Sequence, residues 1–201
     1  MTEKAFTEFQ LANNPPYSST QTLEPIRISD SISTHSWIPP APSWVKLNVD
    51  AAWSKGSKKG GLGNVIRDHF GHPLLAYSVG VNCDSDFIAE ALAIRSGLLF
   101  ATTGGFRKVL VELDCYSLIQ QLSSFDPELA IQSIHHDIVQ LQKSFDDCSF
   151  SFVPRSANSV ADSLAGSTLS VESPIDWPIT THWLLHLCEN ETTVSNDSLA
   201  Q

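Results

Sequence analysis

Four carboxylates occupy positions where a purely structural role explains them poorly: Asp50, Glu90, Asp114 and Asp162. Asp50 and Asp114 each close a run in which apolar residues alternate, a pattern typical of a strand. If the two strands pair in parallel, their carboxyl ends lie side by side, where open α/β sheets place ligands. Either aspartate alone is also typical of a turn. The pair, with Glu90 between them in the chain, favours a shared site.

Glu90 lies in a segment, Phe87–Ala101, that is apolar nearly all round and therefore predicts a buried helix. A buried carboxylate costs several kcal/mol unless it is paired or bound to a metal. The residue one turn later is Ile94, which offers no partner. The alternative is a partly exposed glutamate at a polar helix edge. Asp162 lies early in the last predicted helix, four residues after Asn158, where the helix dipole also favours an acid, so its role requires that it face the other three.

Carboxylates brought this close raise one another's pKa, and hard divalent cations relieve the repulsion. Mg²⁺ prefers oxygen ligands and keeps several of its waters. A pair of such ions can activate a water and stabilise the leaving oxygen when a phosphodiester is displaced in line. The four side chains therefore predict a metal-dependent phosphodiesterase site.

The elements that must position these residues follow from the periodicity, which predicts an α/β domain with a five-stranded mixed sheet and helices on its faces. The first three strands are expected to form an antiparallel meander, and Asp84-Ser85-Asp86 supplies cap chemistry for the long helix. The predicted order is βββαβααβα: Trp44–Asp50, Leu62–Asp68, Leu74–Val81, a helix to Thr103, Lys108–Asp114, Tyr116–Ser123, Glu128–Phe145, Cys148–Pro154 and Asn158 to about Leu169.

Composition predicts one domain with two tails in the 201-residue chain. Residues 44–170 carry the periodic pattern. Residues 1–43, rich in Ser, Thr, Asn and Pro, are expected to form a disordered or extended linker. Residues 171–201 contain no Lys or Arg and read as a mostly disordered acidic tail, although the apolar patch Trp183–Leu187 could dock on the domain.

Several classes of protein are disfavoured. The sequence contains no run of 18 apolar residues, so no membrane span is expected. The first residues lack the basic and apolar stretches of a secretory signal. The four cysteines show no zinc-binding spacing, which favours reduced thiols in the cytoplasm or nucleus. A net charge of −10 argues against tight, sequence-independent binding of DNA. We expect a monomer.

Five segments carry a resemblance to a known family: Lys46–Ala52, Gly61–Gly71, Ala89–Ala93, Val109–Asp114 and Val153–Ala165. They resemble the ribonuclease H type 1-like domain that is common in plant genomes and partly derived from the reverse-transcriptase polyprotein of non-LTR retroelements. The resemblance implies the ribonuclease H-like fold. It also implies that Asp50, Glu90, Asp114 and Asp162 are catalytic ligands of two Mg²⁺ ions, or of Mn²⁺. The implied activity is two-metal-ion hydrolysis of the RNA strand of an RNA–DNA hybrid, which leaves a 3′-hydroxyl.

The sequence departs from that family at several places. Ala51 replaces the glycine that usually follows the first aspartate and lets the backbone approach the RNA. A histidine-containing loop and a basic hybrid-binding helix are both missing, and lysines 55, 58 and 59 in the first hairpin are a weak substitute. Arg155 is the nearest replacement for the loop histidine and can stabilise phosphate charge. Asn64 and Asn158 are further candidates for hydrogen bonds to the substrate.

Two alternatives remain. The intact carboxylates favour an active hybrid ribonuclease. Ala51, the acidic surface and the missing helix favour a catalytically weak or inactive retroelement-derived domain that binds nucleic acid or a protein. A 3′–5′ exonuclease of the same superfold is disfavoured, because its usual Asp-x-Glu is replaced by Asp50-Ala51-Ala52.

Overall fold

A mixed sheet with helices on both faces is the framework of the protein in a computed structural model, which describes residues 26–29, 36–169, 171 and 173–193. The strand order is β5-β4-β1-β2-β3-β6. The strands are β1 Val45–Ser54, β2 Lys59–Arg67, β3 Pro73–Asn82, β4 Lys108–Leu113, β5 Asp147–Phe152 and β6 Ile175–Asp176. The helices are α1 Asp86–Thr103, α2 Tyr116–Leu122, α3 Gln132–Gln142, α4 Ser159–Gly166 and α5 His182–Thr193, with short 3₁₀ turns at Leu129–Ile131 and Arg155–Ala157.

The predicted order βββαβααβα is confirmed, and the expected meander and parallel pairing are both present. β1 runs antiparallel to β2 and parallel to β4, with Asn48 opposite Glu112. The number of strands differs from the prediction, because β6 pairs with β3 and gives the sheet six strands instead of five. A two-residue strand at an edge is too short to show a periodic pattern.

The two faces of the sheet are covered differently. Val45, Leu47 and Val49 of β1 point to the larger core, which α1, α2 and α3 complete. α4 covers the other face, and α5 packs on α4 with the buried Leu184. α4 lies very close to β2: a Cβ on Gly63 would be 2.2 Å from the Ala161 carbonyl oxygen.

The flanks of the periodic region also contribute to the fold. Trp37 is 1% exposed, and Ile28 forms a parallel bridge with Phe150 at the outer edge of β5. Part of the expected linker and part of the expected tail are therefore ordered against the domain. Composition did not predict this for the linker, because a single aromatic residue, Trp37, anchors a proline-rich stretch. In the tail, the apolar patch Trp183–Leu187 docks on the domain, as its pattern allowed. Residues 1–25, 30–35, 172 and 194–201 of these segments lie outside the described residues.

No helix in the described part of the chain is both long and apolar enough to cross a membrane.

Candidate metal centre

Three of the four predicted carboxylates meet at the carboxyl end of β4, beside the middle of β1. Asp50 in β1, Glu90 in α1 and Asp114 directly after β4 each bring a carboxylate oxygen within 4.8 Å of the other two. The parallel pairing of β1 and β4 puts Asp50 and Asp114 side by side, two residues beyond the paired Asn48 and Glu112. Ser85 caps the N-terminus of α1, since its Oγ accepts a hydrogen bond from the Ile88 amide, and Glu90 follows in the second turn of this helix.

Asp162 lies at the margin of this group. It is in α4, and its Oδ1 accepts a hydrogen bond of 2.5 Å from Arg155 Nη2. Its side chain is 39% exposed, and that of Arg155 is 74% exposed. Its charge nevertheless acts on Asp50, whose pKa it helps to raise. The fourth carboxylate is therefore close enough to be felt electrostatically while it remains open to solvent.

The electrostatics of the group favour a bound cation. Burial, followed by the charges of Glu90, Asp114 and Asp162, raises the pKa of Asp50 to about 9. Burial and the charges of Asp114 and Asp86 raise the pKa of Glu90 to about 8, although Arg155 opposes this. Glu90 Oε2 is buried and has no hydrogen-bond partner among the described residues. A divalent ion would satisfy that oxygen and remove the repulsion.

Two residues predicted to contact the substrate are fully buried, so the structure corrects their assignment. Asn64 in β2 faces α1, and a Cβ on Gly97 would be 2.6 Å from its Oδ1. Asn158 donates from Nδ2 to the Val49 carbonyl oxygen at 2.9 Å. Neither amide has a surface to offer a nucleic acid. Sequence shows that a strand residue is polar, but it does not show which face of the sheet a helix covers.

Sequence reasoning missed a buried polar network beneath the carboxylates, centred on Asn48. Asn48 Oδ1 accepts hydrogen bonds from Trp37 Nε1 at 3.0 Å and from Arg67 Nη2 at 2.7 Å. Asn48 Nδ2 donates to Glu112 Oε2 at 3.0 Å and to Asn158 Oδ1 at 3.2 Å. Asn48 thereby connects β1, β4 and the start of α4, the elements that carry three of the four acids.

Two buried ion pairs complete this network. Lys46 Nζ is 2.5 Å from Glu112 Oε1, and Arg67 Nη1 is 2.6 Å from Glu191 Oε2. The Arg67 guanidinium also lies 3.7 Å from the centre of the Trp37 ring, which adds a cation–π contact. One sequence feature could have indicated this network: Lys46, Asn48 and Asp50 are spaced two residues apart, so they lie on the same face of β1.

The sequence profile of the reverse transcriptase-like family matches residues 48–168. The chain belongs to the reverse transcriptase-like family. The matched region of this reverse transcriptase-like chain contains all four predicted carboxylates, and it excludes Trp37 and α5. No curated protein sequence matches the chain.

Solved structures show the same fold as this reverse transcriptase-like chain. The ribonuclease H1 of Halobacterium salinarum is 25% identical, with a TM-score of 0.59 over 63% of this chain and 97% of that one. The N-terminal ribonuclease H domain of a Mycobacterium tuberculosis protein is 20% identical, with a TM-score of 0.58 over 63% and 93% of the two chains. LC11 ribonuclease H1, solved in complex with an RNA/DNA hybrid, is 20% identical, with a TM-score of 0.57 over 62% and 96%. The predicted ribonuclease H-like fold is confirmed. The plant and retroelement origin stays a prediction.

Proposed function

We propose that the protein is a divalent-metal-dependent endonuclease that hydrolyses the RNA strand of RNA–DNA hybrids. The observation that carries the proposal is the meeting of three carboxylates, from β1, α1 and the end of β4, within 4.8 Å at one edge of the sheet. A similar fold in LC11 ribonuclease H1 was solved with an RNA/DNA hybrid, which supports the choice of substrate.

The donor set fits Mg²⁺, with Mn²⁺ as a substitute. All ligands are carboxylate oxygens, and one of them, Glu90 Oε2, is buried without a partner among the described residues. Asp50, Glu90 and Asp114 would hold one ion, and Asp162 would contribute to a second. Bound there, the ions would supply a water of lowered pKa and charge neutralisation at the phosphodiester. The network under Asn48 keeps the protein ligands in place without contacting the substrate.

Arg155 is the residue best placed to meet a phosphate. Its guanidinium is anchored to Asp162 by one nitrogen, and most of its side chain is exposed beside the acids. A planar guanidinium can donate to two phosphate oxygens at once, which the ammonium group of a lysine does less well. We assign it to holding the substrate backbone, a step that needs no titrating group.

A catalytically weak or inactive domain that binds nucleic acid or a protein is the second candidate, and the pairing of the surface charges favours weak catalysis. Exposed arginines and a lysine are paired with acids: Arg27 with Asp147, Lys58 with Asp84, Arg95 with Asp137 and Arg107 with Asp146. Such pairs lower the positive potential available to a phosphate backbone. Binding of hybrid would then be weak even if the metal centre is intact.

Cleavage of a labelled RNA–DNA hybrid distinguishes the two candidates. In Mg²⁺, the wild type should cut the RNA strand, and Asp114→Asn should lose about 10²-fold or more of the rate, because a ligand charge is removed. Asp126→Asn, which removes an exposed acid that forms no ion pair among the described residues, is the matched control and should cut like the wild type. Equal residual cutting by wild type and Asp114→Asn would identify a contaminant and leave the second candidate standing. Single-stranded RNA and duplex DNA of the same sequence should remain uncut.

A further inference from the structure

The C-terminal helix α5 reaches the first turn of α4 through one buried acid, Glu191. Glu191 Oε1 accepts hydrogen bonds from Ser159 Oγ at 2.9 Å and from the Val160 amide at 3.3 Å. The residue that would normally cap α4, Asn158, makes no capping hydrogen bond with its side chain. Glu191 therefore satisfies donors that the helix leaves open at its N-terminus, where a negative charge is also favoured.

The other oxygen of Glu191 connects α5 to the sheet. Oε2 lies 2.6 Å from Arg67 Nη1, and both side chains are 0% exposed. Arg67 in turn donates to Asn48 Oδ1 at 2.7 Å, and Asn48 lies two residues before Asp50 in β1. One carboxylate of α5 thus contacts the start of the helix that carries Asp162 and, through Arg67, the strand that carries Asp50.

We propose that Glu191 is a positioning residue, which fixes the first turn of α4 against β1 and so holds Asp162 beside Asp50, Glu90 and Asp114. α4 has eight residues and Asp162 lies in its first turn, so a shift of that turn moves the carboxylate directly. α5 lies beyond residues 48–168, the part that matches the family. The consequence of this role for ion binding rests on the proposed function, whereas its consequence for α4 does not.

A role in stability alone makes a different prediction from a role in positioning. Replacement of a buried ion pair by apolar side chains of similar size often leaves stability unchanged or improves it. Arg67→Met combined with Glu191→Leu therefore leaves no buried charge unpaired, and Trp37 Nε1 still bonds to Asn48. This double variant should fold, yet it lacks the acceptor for Ser159 and Val160.

The experiment combines two measurements on the protein without substrate: hydrogen–deuterium exchange across residues 159–166, and the dissociation constant for Mn²⁺. In the double variant, we expect amides at the start of α4 to exchange at least about tenfold faster and Mn²⁺ to bind about tenfold more weakly, as for other outer-sphere positions. Glu191→Gln retains an acceptor oxygen and should lie between the wild type and the double variant. Glu189→Gln, an exposed change on the same helix, should behave as the wild type in both measurements.

Wild-type exchange in α4 and wild-type Mn²⁺ affinity in the double variant would overturn the proposal. Should the double variant not fold, the same two measurements on Glu191→Gln decide it in the same way. If the wild type neither binds Mn²⁺ nor cuts hybrid, the proposed function fails. Faster exchange at the start of α4 in the variants would then still support Glu191 as the residue that positions this helix, and unchanged exchange would overturn it.

Discussion

Asn64 and Asn158 are both fully buried, but only the amide of Asn158 has hydrogen-bond partners, Val49 and Asn48. Both amide atoms of Asn64 lack a partner among the described residues. A buried amide without hydrogen-bond partners lowers the stability of the folded state by about 1–3 kcal/mol. Removal of a hydrogen-bonded amide instead leaves its former partners unpaired.

Opposite effects on stability are therefore expected from the same substitution at these two positions. Asn64→Leu, a change between side chains of similar shape, should raise the free energy of unfolding by about 1 kcal/mol, and Asn158→Leu should lower it by about 2 kcal/mol. Urea denaturation measures both. Destabilisation by both substitutions would show that Asn64 is satisfied, for example by an ordered water.

Asp50 gives a prediction for the dependence of stability on pH. Its pKa is raised from 3.8 to about 9 in the folded protein, so the folded state binds the proton more tightly than the unfolded chain does. This contribution to stability is complete below about pH 4 and is lost as the pH rises towards about 9. In the absence of divalent ions, Asp50→Asn should therefore melt at least about 3 °C higher than the wild type near pH 8.

Thermal melting in EDTA and in Mg²⁺, near pH 6 and near pH 8, is the measurement. Mg²⁺ should raise the melting temperature of the wild type near pH 8, because the ion binds the folded state alone. It should have much less effect on Asp50→Asn. A wild type that is more stable near pH 8 than near pH 6 without the ion would contradict the raised pKa.

The acids of the centre were predictable from sequence, whereas the residues that hold them were not. Asp50 and Asp114 each end a run of alternating apolar residues, although β1 continues to Ser54, and Glu90 is an acid in an apolar helix, so each conflicts with its surroundings in the sequence itself. Lys46 and Asn48 alternate with apolar residues and therefore resemble the solvent face of a strand. Only the tertiary structure shows that Trp37, α4 and α5 cover that face.

At the scale of elements, the contact between β2 and α4 depends on glycine at two positions. Cβ atoms on Gly61 and Gly63 would be 2.1 Å and 2.2 Å from carbonyl oxygens of α4, at Ala165 and Ala161. Backbone atoms cannot yield as a flexible side chain does, so any larger residue must push the helix away from the sheet.

Gly63→Ala should lower the free energy of unfolding by about 1–3 kcal/mol and also slow hybrid cleavage, because α4 carries Asp162. Gly166→Ala is the matched control, since nothing lies within 4 Å of its Cβ position and alanine suits a helix. It should be neutral or slightly stabilising. Urea denaturation and initial cleavage rates test both variants. A Gly63→Ala protein with wild-type stability would show that α4 can move away without cost.

Elements were predictable to the extent that they repeat a pattern. β1 shows a clear period of two, and α1 is a long segment that is apolar nearly all round with cap residues before it. β6 has two residues, Ile175 and Asp176, and shows no period. α5 was visible only as an apolar patch, because a short helix whose remaining faces are polar resembles a solvated tail until its docking surface is known.

At the scale of the whole molecule, the family match and the folded unit have different boundaries. A fragment of residues 48–168 keeps the four acids but removes Trp37, α5 and the first three residues of β1, among them the buried Leu47. Removal of a large buried apolar side chain costs about 2–5 kcal/mol, and the fragment loses at least two of them, Leu47 and Trp37.

Fragment 48–168 should therefore melt far below fragment 26–193, which keeps every described contact, or fail to fold cooperatively. Circular dichroism during heating compares the two fragments. Similar melting temperatures would show that the flanks add little, and would also weaken the role assigned to Glu191.

The outermost long strands of the sheet, β5 and β3, are each paired with a short flanking segment, Ile28 at β5 and β6 at β3. An uncovered outer strand presents backbone donors and acceptors on which another chain can form an additional strand. Trimming the protein to its family boundaries would uncover both sides in one step. Such a fragment should self-associate through sheet extension and lose soluble protein. This should be checked before an absence of cleavage is attributed to the metal centre.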